Sequence, residues 1–97
     1  MRVEWLPGAE RDRESQLAYV GARDPWAAIT MGDAVETAVR RLADHPHMGR
    51  PGRVAGTREL VVTGTPCVVA YRVEREAVVV LRLLHGAQRW PPPPPEG

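Results

Sequence analysis

The sequence contains no lysine: all 13 of its basic residues outside the three histidines are arginine. It contains one cysteine, Cys67, so no internal disulfide can form and no second thiol stands at metal-ligand spacing. No apolar run approaches the roughly 18–20 residues of a membrane span. The opening MRVEWLPGAERDRE has no apolar stretch of the kind a secretory signal carries. No internal repeat is visible. These absences set aside a disulfide-stapled scaffold, a thiolate metal centre, a membrane-spanning protein and a repeat array. A cytoplasmic protein is expected.

What is present is an ordinary globular composition. The 97 residues are 43% hydrophobic, enough for one domain with one modest core. The net charge of +1 hides an uneven layout. Residues 1–39 hold seven acids against four arginines, whereas residues 40–58 hold Arg40, Arg41, Arg50, Arg53 and Arg58 against Asp44 alone. The middle segment is therefore a candidate for an anionic partner. Arginine grips phosphate or carboxylate through two parallel hydrogen bonds, although an all-arginine chain also follows from genomic base composition.

The alternation in RVEWL (Arg2–Leu6) predicts a short first strand, ended by Pro7 and Gly8. AERDRESQLAYVGAR reads as a helix with a thin apolar stripe at Ala9, Leu17 and Val20, ending near Gly21. Asp24 is placed to cap a second helix whose first residue is Pro25, where a missing amide donor is tolerated. Ala28, Met31, Val35, Ala38 and Leu42 recur at helical spacing and make one face, widened by Trp26, Ile29 and Val39. This helix should stop before Pro46. Two helices joined by so few residues predict an antiparallel hairpin. HPHMGRPGRVAGTR, broken by Pro46, Gly49, Pro51, Gly52 and Gly56, reads as a loop. RELVV, CVVAYRV and AVVVLRLL are three strands with short connections, hence an antiparallel meander. The expected class is α+β: an N-terminal strand, an α-helical hairpin, then a three-stranded meander, forming a small antiparallel sheet with the helices against one face. The domain is expected over residues 1–91, and residues 92–97 as a disordered tail of polyproline II type.

Within CVVAYRV, Val69, Tyr71 and Val73 form one alternating set and Val68, Ala70 and Arg72 the other. The bulkier set is expected against the helices. The set with Arg72 is expected outward, on a face rimmed by Arg50, Arg53 and Arg58. Cleaving RNA from its own 2′-hydroxyl needs a proton acceptor, a donor for the leaving oxygen and positive charge on the phosphate. His85 exchanges protons near neutral pH, and Arg58, Arg72 and Arg82 are able to supply charge. The competing reading of His85 is a surface or hydrogen-bonded structural residue, the commoner fate of a lone histidine after a strand. Arg82 and His85 differ by three positions and point to opposite faces of a regular strand. A bulge, or a strand end near Leu84, is needed to unite them. His45 and His47 flank Pro46 without cysteine or carboxylate partners, a poor metal site. Trp90 is expected to cover the sheet end or a hydrophobic gap.

A charged helical hairpin followed by LADHPHMGRPGR, GTRELVV, YRV and VLRLLHGAQRWP resembles the RelE/ParE superfamily of bacterial toxins, over about residues 2–91. The resemblance implies the poison half of a type II toxin–antitoxin module. It implies a cognate antitoxin that wraps the toxin, promoter DNA bound only through that complex, and no cofactor, metal or membrane. It also implies one of two targets. RelE-like members cut messenger RNA in the ribosome without metal, whereas ParE-like members inhibit DNA gyrase and cut nothing. His85 matches a histidine at the end of the last strand in several members, and Arg58 and Arg82 match basic positions. These three are the catalytic candidates if the chain is a nuclease. Arg50, Arg53, Arg72 and Arg89 are the candidates for target or phosphate binding. RNA-cutting members commonly place an arginine three residues before the tyrosine that corresponds to Tyr71, and that position holds Val68. They also tend to carry a tyrosine or second basic residue near the C-terminus, where here His85 is followed by Gly86 and Ala87. The expectation is a toxin that arrests growth by ParE-like inhibition of DNA gyrase. The alternatives are a RelE-like mRNA endonuclease, and an inactive module that keeps only the antitoxin contact.

Overall fold

The chain runs β1 (Arg2–Trp5), α1 (Pro7–Gly21), α2 (Pro25–Asp44), β2 (Arg50–Pro51), β3 (Arg58–Val61), β4 (Cys67–Glu74) and β5 (Ala77–His85) in a computed structural model. The structure describes residues 1–86 and 88–94. The expected tail at 92–97 thus lies partly outside the described residues. Among the described residues no helix is long and apolar enough to cross a membrane.

Local chemistry sets the helix ends. Asp24 Oδ1 accepts from the amides of Trp26 and Ala27, both at 3.1 Å, and Pro25 sits in the first turn of α2. Met31, Val35, Val39 and Leu42 are buried along it. Trp26 and Ile29 do not widen the core face: they are 78% and 56% exposed. At roughly 100° per residue both fall on the far side of the helix from Val35. α1 begins at Pro7 rather than after Gly8, because proline at the first helical position gives up only an amide that has no partner there.

The sheet has five strands in the order β1-β5-β4-β3-β2. β3, β4 and β5 form the antiparallel meander. β1 departs from the expected pairing: it lies parallel to β5, Arg2 opposite Ala77 and Trp5 opposite Val80. The sheet is therefore mixed. The helical hairpin, and the strands after it, are the long connection that a parallel neighbour requires. β2 arises inside the expected loop, pairing Arg50 with Glu59 and Pro51 with Arg58. Two residues, one of them a proline, leave no alternation to read, and proline is acceptable at a sheet edge.

β1 is four residues long and β5 nine, so β5 outruns its neighbour. α1 replaces the missing strand. Asp12 Oδ2 accepts the Leu83 amide at 3.0 Å, and Gln16 Nε2 donates to the Leu83 carbonyl at 2.8 Å. These bonds satisfy backbone groups that would be costly to leave unpaired. The β4–β5 register also slips once. Ala70 faces Arg82 and Tyr71 faces Val80, which leaves Leu81 as the extra residue of a bulge. The bulge changes parity along β5. Val78, Val80 and Leu83 all join the helix-side core with Val69 and Tyr71. Leu84 instead packs on the other face with Val68 and Ala70. The two sets in β4 divide as their alternation predicts, with Val73 packed against the helix-side core.

Candidate functional site

The turn after α2 is tied to the sheet by Tyr71. Its hydroxyl donates to the Pro46 carbonyl at 2.7 Å and accepts from the Gly49 amide at 2.9 Å. A Cβ at position 49 would lie 2.6 Å from that hydroxyl and 2.9 Å from the Glu59 carbonyl oxygen, so only glycine fits. Burial pushes the Tyr71 phenol up, against weaker pulls from the Gly49 amide and Arg58. It stays protonated, and therefore a donor, at neutral pH. Arg58 Nη1 donates to the carbonyls of Gly49 at 2.8 Å and His47 at 3.3 Å. Arg58, a catalytic candidate from the sequence, thus closes a structural knot with the HPHMG turn.

Glu59 holds the next arginines. It is 1% exposed and stands opposite Ala70, on the face away from the helices. Arg53 Nε donates to both of its oxygens at 3.1 Å, the Arg53 amide to one at 2.8 Å, and Arg50 Nη2 at 3.4 Å. Burial works to raise the Glu59 pKa, but the bonds from Arg53 and Arg50 outweigh it and hold the carboxyl below its ordinary value. Sequence reading missed this residue. A lone acid in RELVV looks like the solvated position of a strand, and only the two arginines in the preceding loop hinted at a buried partner.

Arg82 is held from the opposite side. Asp12 receives its Nε at 2.6 Å and its Nη2 at 3.0 Å. The bond to Asp12 raises the Arg82 pKa although burial opposes it. The same guanidinium lies 5.5 Å from the ring centroid of Trp90, which packs on Val68, Ala70 and Leu84. Arg72 is paired with Glu74 at 2.7 Å. Arg89 is exposed and, among the described residues, forms no ion pair. His85 is exposed at the end of β5. Its amide donates to Gln88 Oε1 at 3.2 Å, and its carbonyl accepts the Gln88 amide at 2.9 Å.

The bulge does not bring Arg82 and His85 together. Leu81 is inserted before Arg82, so Arg82 falls in register with Ala70 and His85 with Cys67. Ala70 belongs to the open face and Cys67 to the helix-side core. Cys67 is a structural thiol: burial pushes its pKa up, and its Sγ donates to Gln16 Oε1 at 3.3 Å. Among the described residues no group of three His, Cys, Asp or Glu could hold a metal ion.

An apolar groove opens at the surface beside the sheet. It lies between α2 and β3, about 360 Å3 in volume, with Ala34, Ala38, Leu60, Val61 and Met48 on its walls and Asp33 and Arg41 at its rim. Val61 is 53% and Met48 37% exposed. β2 pairs with Arg58 and Glu59, so among the described residues no strand covers the outer edge of β3 at Leu60 and Val61. The opposite edge of the sheet, β1, is blunted by the Arg2–Glu4 ion pair at 2.8 Å.

Known proteins share this architecture and sequence. The family model for the ParE toxin of the type II toxin–antitoxin system, parDE, matches residues 3–90. A putative toxin, Y4kP of Sinorhizobium fredii (strain NBRC 101917 / NGR234), is 40% identical over 90 residues, covering 93% of each chain. Toxin RelE3 of Caulobacter vibrioides is 34% identical over 89 residues, 90% of this chain and 96% of the relative. A solved structure of the chromosomal ParDE system from P. aeruginosa superposes with a TM-score of 0.79 at 23% identity, over 88% of this chain and 95% of that one, and shares the fold. The chain belongs to the ParE family and is the toxin of a type II toxin–antitoxin module, with a cognate antitoxin as its partner.

Proposed function

We propose that this toxin arrests growth by docking on a protein target, as ParE-like members do on DNA gyrase, and not by cutting RNA. The commitment of its arginines carries the reading. Metal-free RNA cleavage needs positive charge facing the phosphate and a proton carrier beside it. Arg82 is held by Asp12, Arg58 by loop carbonyls, and Arg50 and Arg53 by Glu59. His85 follows the other face of the sheet from Arg82. Val68 occupies the position where RNA-cutting members commonly carry arginine, and it lies under Trp90. The face away from the helices carries an apolar seat, Val68, Ala70 and Leu84, that Trp90 fills, with Arg53 and Arg82 at its border, a composition that suits a protein docking surface.

The antitoxin, on this reading, occupies the groove between α2 and β3. An extended or helical segment there covers Val61 and Met48, and as a strand it pairs with the uncovered edge of β3. An apolar segment with a base beside Asp33 and an acid beside Arg41 complements the walls and rim.

RelE-like mRNA cleavage is the alternative, and the relatives named RelE3 and RelE1 of Caulobacter vibrioides favour it. A gyrase supercoiling assay run beside a ribosome-bound mRNA cleavage assay on the purified chain decides. Expected are inhibited supercoiling, intact message, and inhibition unchanged in His85→Ala. Ribosome-dependent cleavage that is lost in His85→Ala would overturn the reading. Neither activity, with no growth arrest on expression, identifies an inactive module.

A further inference from the structure

The helix-free face of the sheet is not bare. Val68, Ala70 and Leu84 are 7%, 0% and 0% exposed, and Trp90 is the partly buried apolar residue packed against them. Trp90 belongs to a short segment, Gln88–Trp90, that lies outside every strand. We propose that this segment is a displaceable plug, and that the target docks on the open face by lifting Trp90 from its seat. The proposal rests on the docking reading given above and names the regulation of that surface.

The plug is held well enough to occupy the seat but is not built into the fold. Among the described residues its long-range hydrogen bond is the one from Arg53 Nη1 to the Gln88 carbonyl at 3.3 Å. The bonds between Gln88 and His85 are local. Trp90 Nε1 is buried, yet its N–H has no acceptor among the described residues. A buried donor without a partner weakens the seated state relative to one in which it meets an acceptor. Arg82 is fixed by Asp12 whether or not the indole lies beneath its guanidinium, so departure of Trp90 does not release that arginine. The patch beneath is formed by Val68, Ala70 and Leu84, with the paired Glu59 carboxylate beside it opposite Ala70, and exposing its apolar part to water is unfavourable. Opening is therefore coupled to a replacement: a protein target that presents an apolar or aromatic side chain with an acceptor for the rim.

The full chain tests this through the Trp90 indole N–H resonance and through growth arrest at matched protein levels. The indole N–H is expected to exchange with solvent at least tenfold faster than the β4 amides, which open only with the sheet. Trp90→Ala, and Gln88→Ala, a milder variant that removes the bond from the His85 amide to Gln88 Oε1 and leaves the Arg53 tie and the apolar seat in place, are expected to arrest growth at several-fold lower expression. Indole exchange as slow as the β4 amides would overturn the proposal. So would unchanged or weaker arrest by Gln88→Ala with its melting temperature preserved. If the wild-type chain causes no arrest, the docking reading fails, and the exchange measurement still decides whether Trp90 leaves its seat.

Discussion

Replacing Glu59 by glutamine keeps the shape of the side chain and removes its charge. The carboxylate accepts from Arg53 Nε, the Arg53 amide and Arg50 Nη2. Breaking a buried ion pair from one side costs about 3–5 kcal/mol. Two features reduce that here. The Arg50 and Arg53 side chains are 62% and 39% exposed, so water takes over the stranded guanidinium groups. The carboxamide oxygen of the replacement still accepts from the Arg53 backbone N–H. About 2 kcal/mol should remain, equivalent to a fall in melting temperature of about 8–16 °C for a domain of this size. The pH dependence identifies the cause. The folded pKa of Glu59 is lowered, so its contribution is complete above the unfolded value of about 4.3. That contribution is lost as pH falls through the lower folded value. The gap between wild type and Glu59→Gln should thus be constant from neutral pH to about 5.5 and shrink below about 4.3. Thermal melts across this range measure both. A shift under about 2 °C at neutral pH, or a gap that persists undiminished in acid, would refute the clamp.

The other expectations concern the turn and the groove. Gly49→Ala drives a methyl group against the Tyr71 hydroxyl and the Glu59 carbonyl. Chemical denaturation should show a loss of about 2 kcal/mol or more, larger than the loss of about 1–2 kcal/mol for Tyr71→Phe, which only forfeits two hydrogen bonds. Equal stability of Gly49→Ala and wild type would remove the steric requirement. Val61→Lys places a charge in the α2–β3 groove at an exposed position. It should fold normally and bind the cognate antitoxin at least about tenfold more weakly by calorimetry. Unaltered affinity would move the antitoxin elsewhere.

Much of the fold was legible because it follows from local patterns. The Asp24-Pro25 start of α2, its apolar face and the alternation in β4 each report a periodicity or a cap. What was not legible depends on partners distant in sequence. β1 runs parallel to β5 because a connection of more than seventy residues brings it there, and nothing in RVEWL encodes a direction. Hydrophobicity alone places Trp26 and Ile29 on the core face, whereas helical angle puts them in solvent. Leu81 as a bulge and β2 as a strand leave no signal in composition. Asp12 and Gln16 carry no sequence signal of their role, which the end of β5, unpaired by β1, supplies.

The candidate site illustrates the same limit more sharply. The sequence supplies arginines, and a count of them suggests a phosphate surface. Their function depends on which acid lies within reach, and that is a property of the fold. Asp12 and Arg82 are seventy positions apart. Glu59 is close to Arg53 in sequence but enclosed only because β3 places it opposite Ala70. Each carboxylate engages a guanidinium and turns it into a brace. Asp12 braces the end of β5 through both Arg82 and the Leu83 amide. Glu59 braces the loop after β2 and, through Arg53, the segment that carries Trp90. Arg53 and Arg82 thereby border the seat of Trp90. On the docking reading proposed above, a braced rim around that seat serves a protein surface, whereas phosphoryl chemistry needs charge converging on the phosphate.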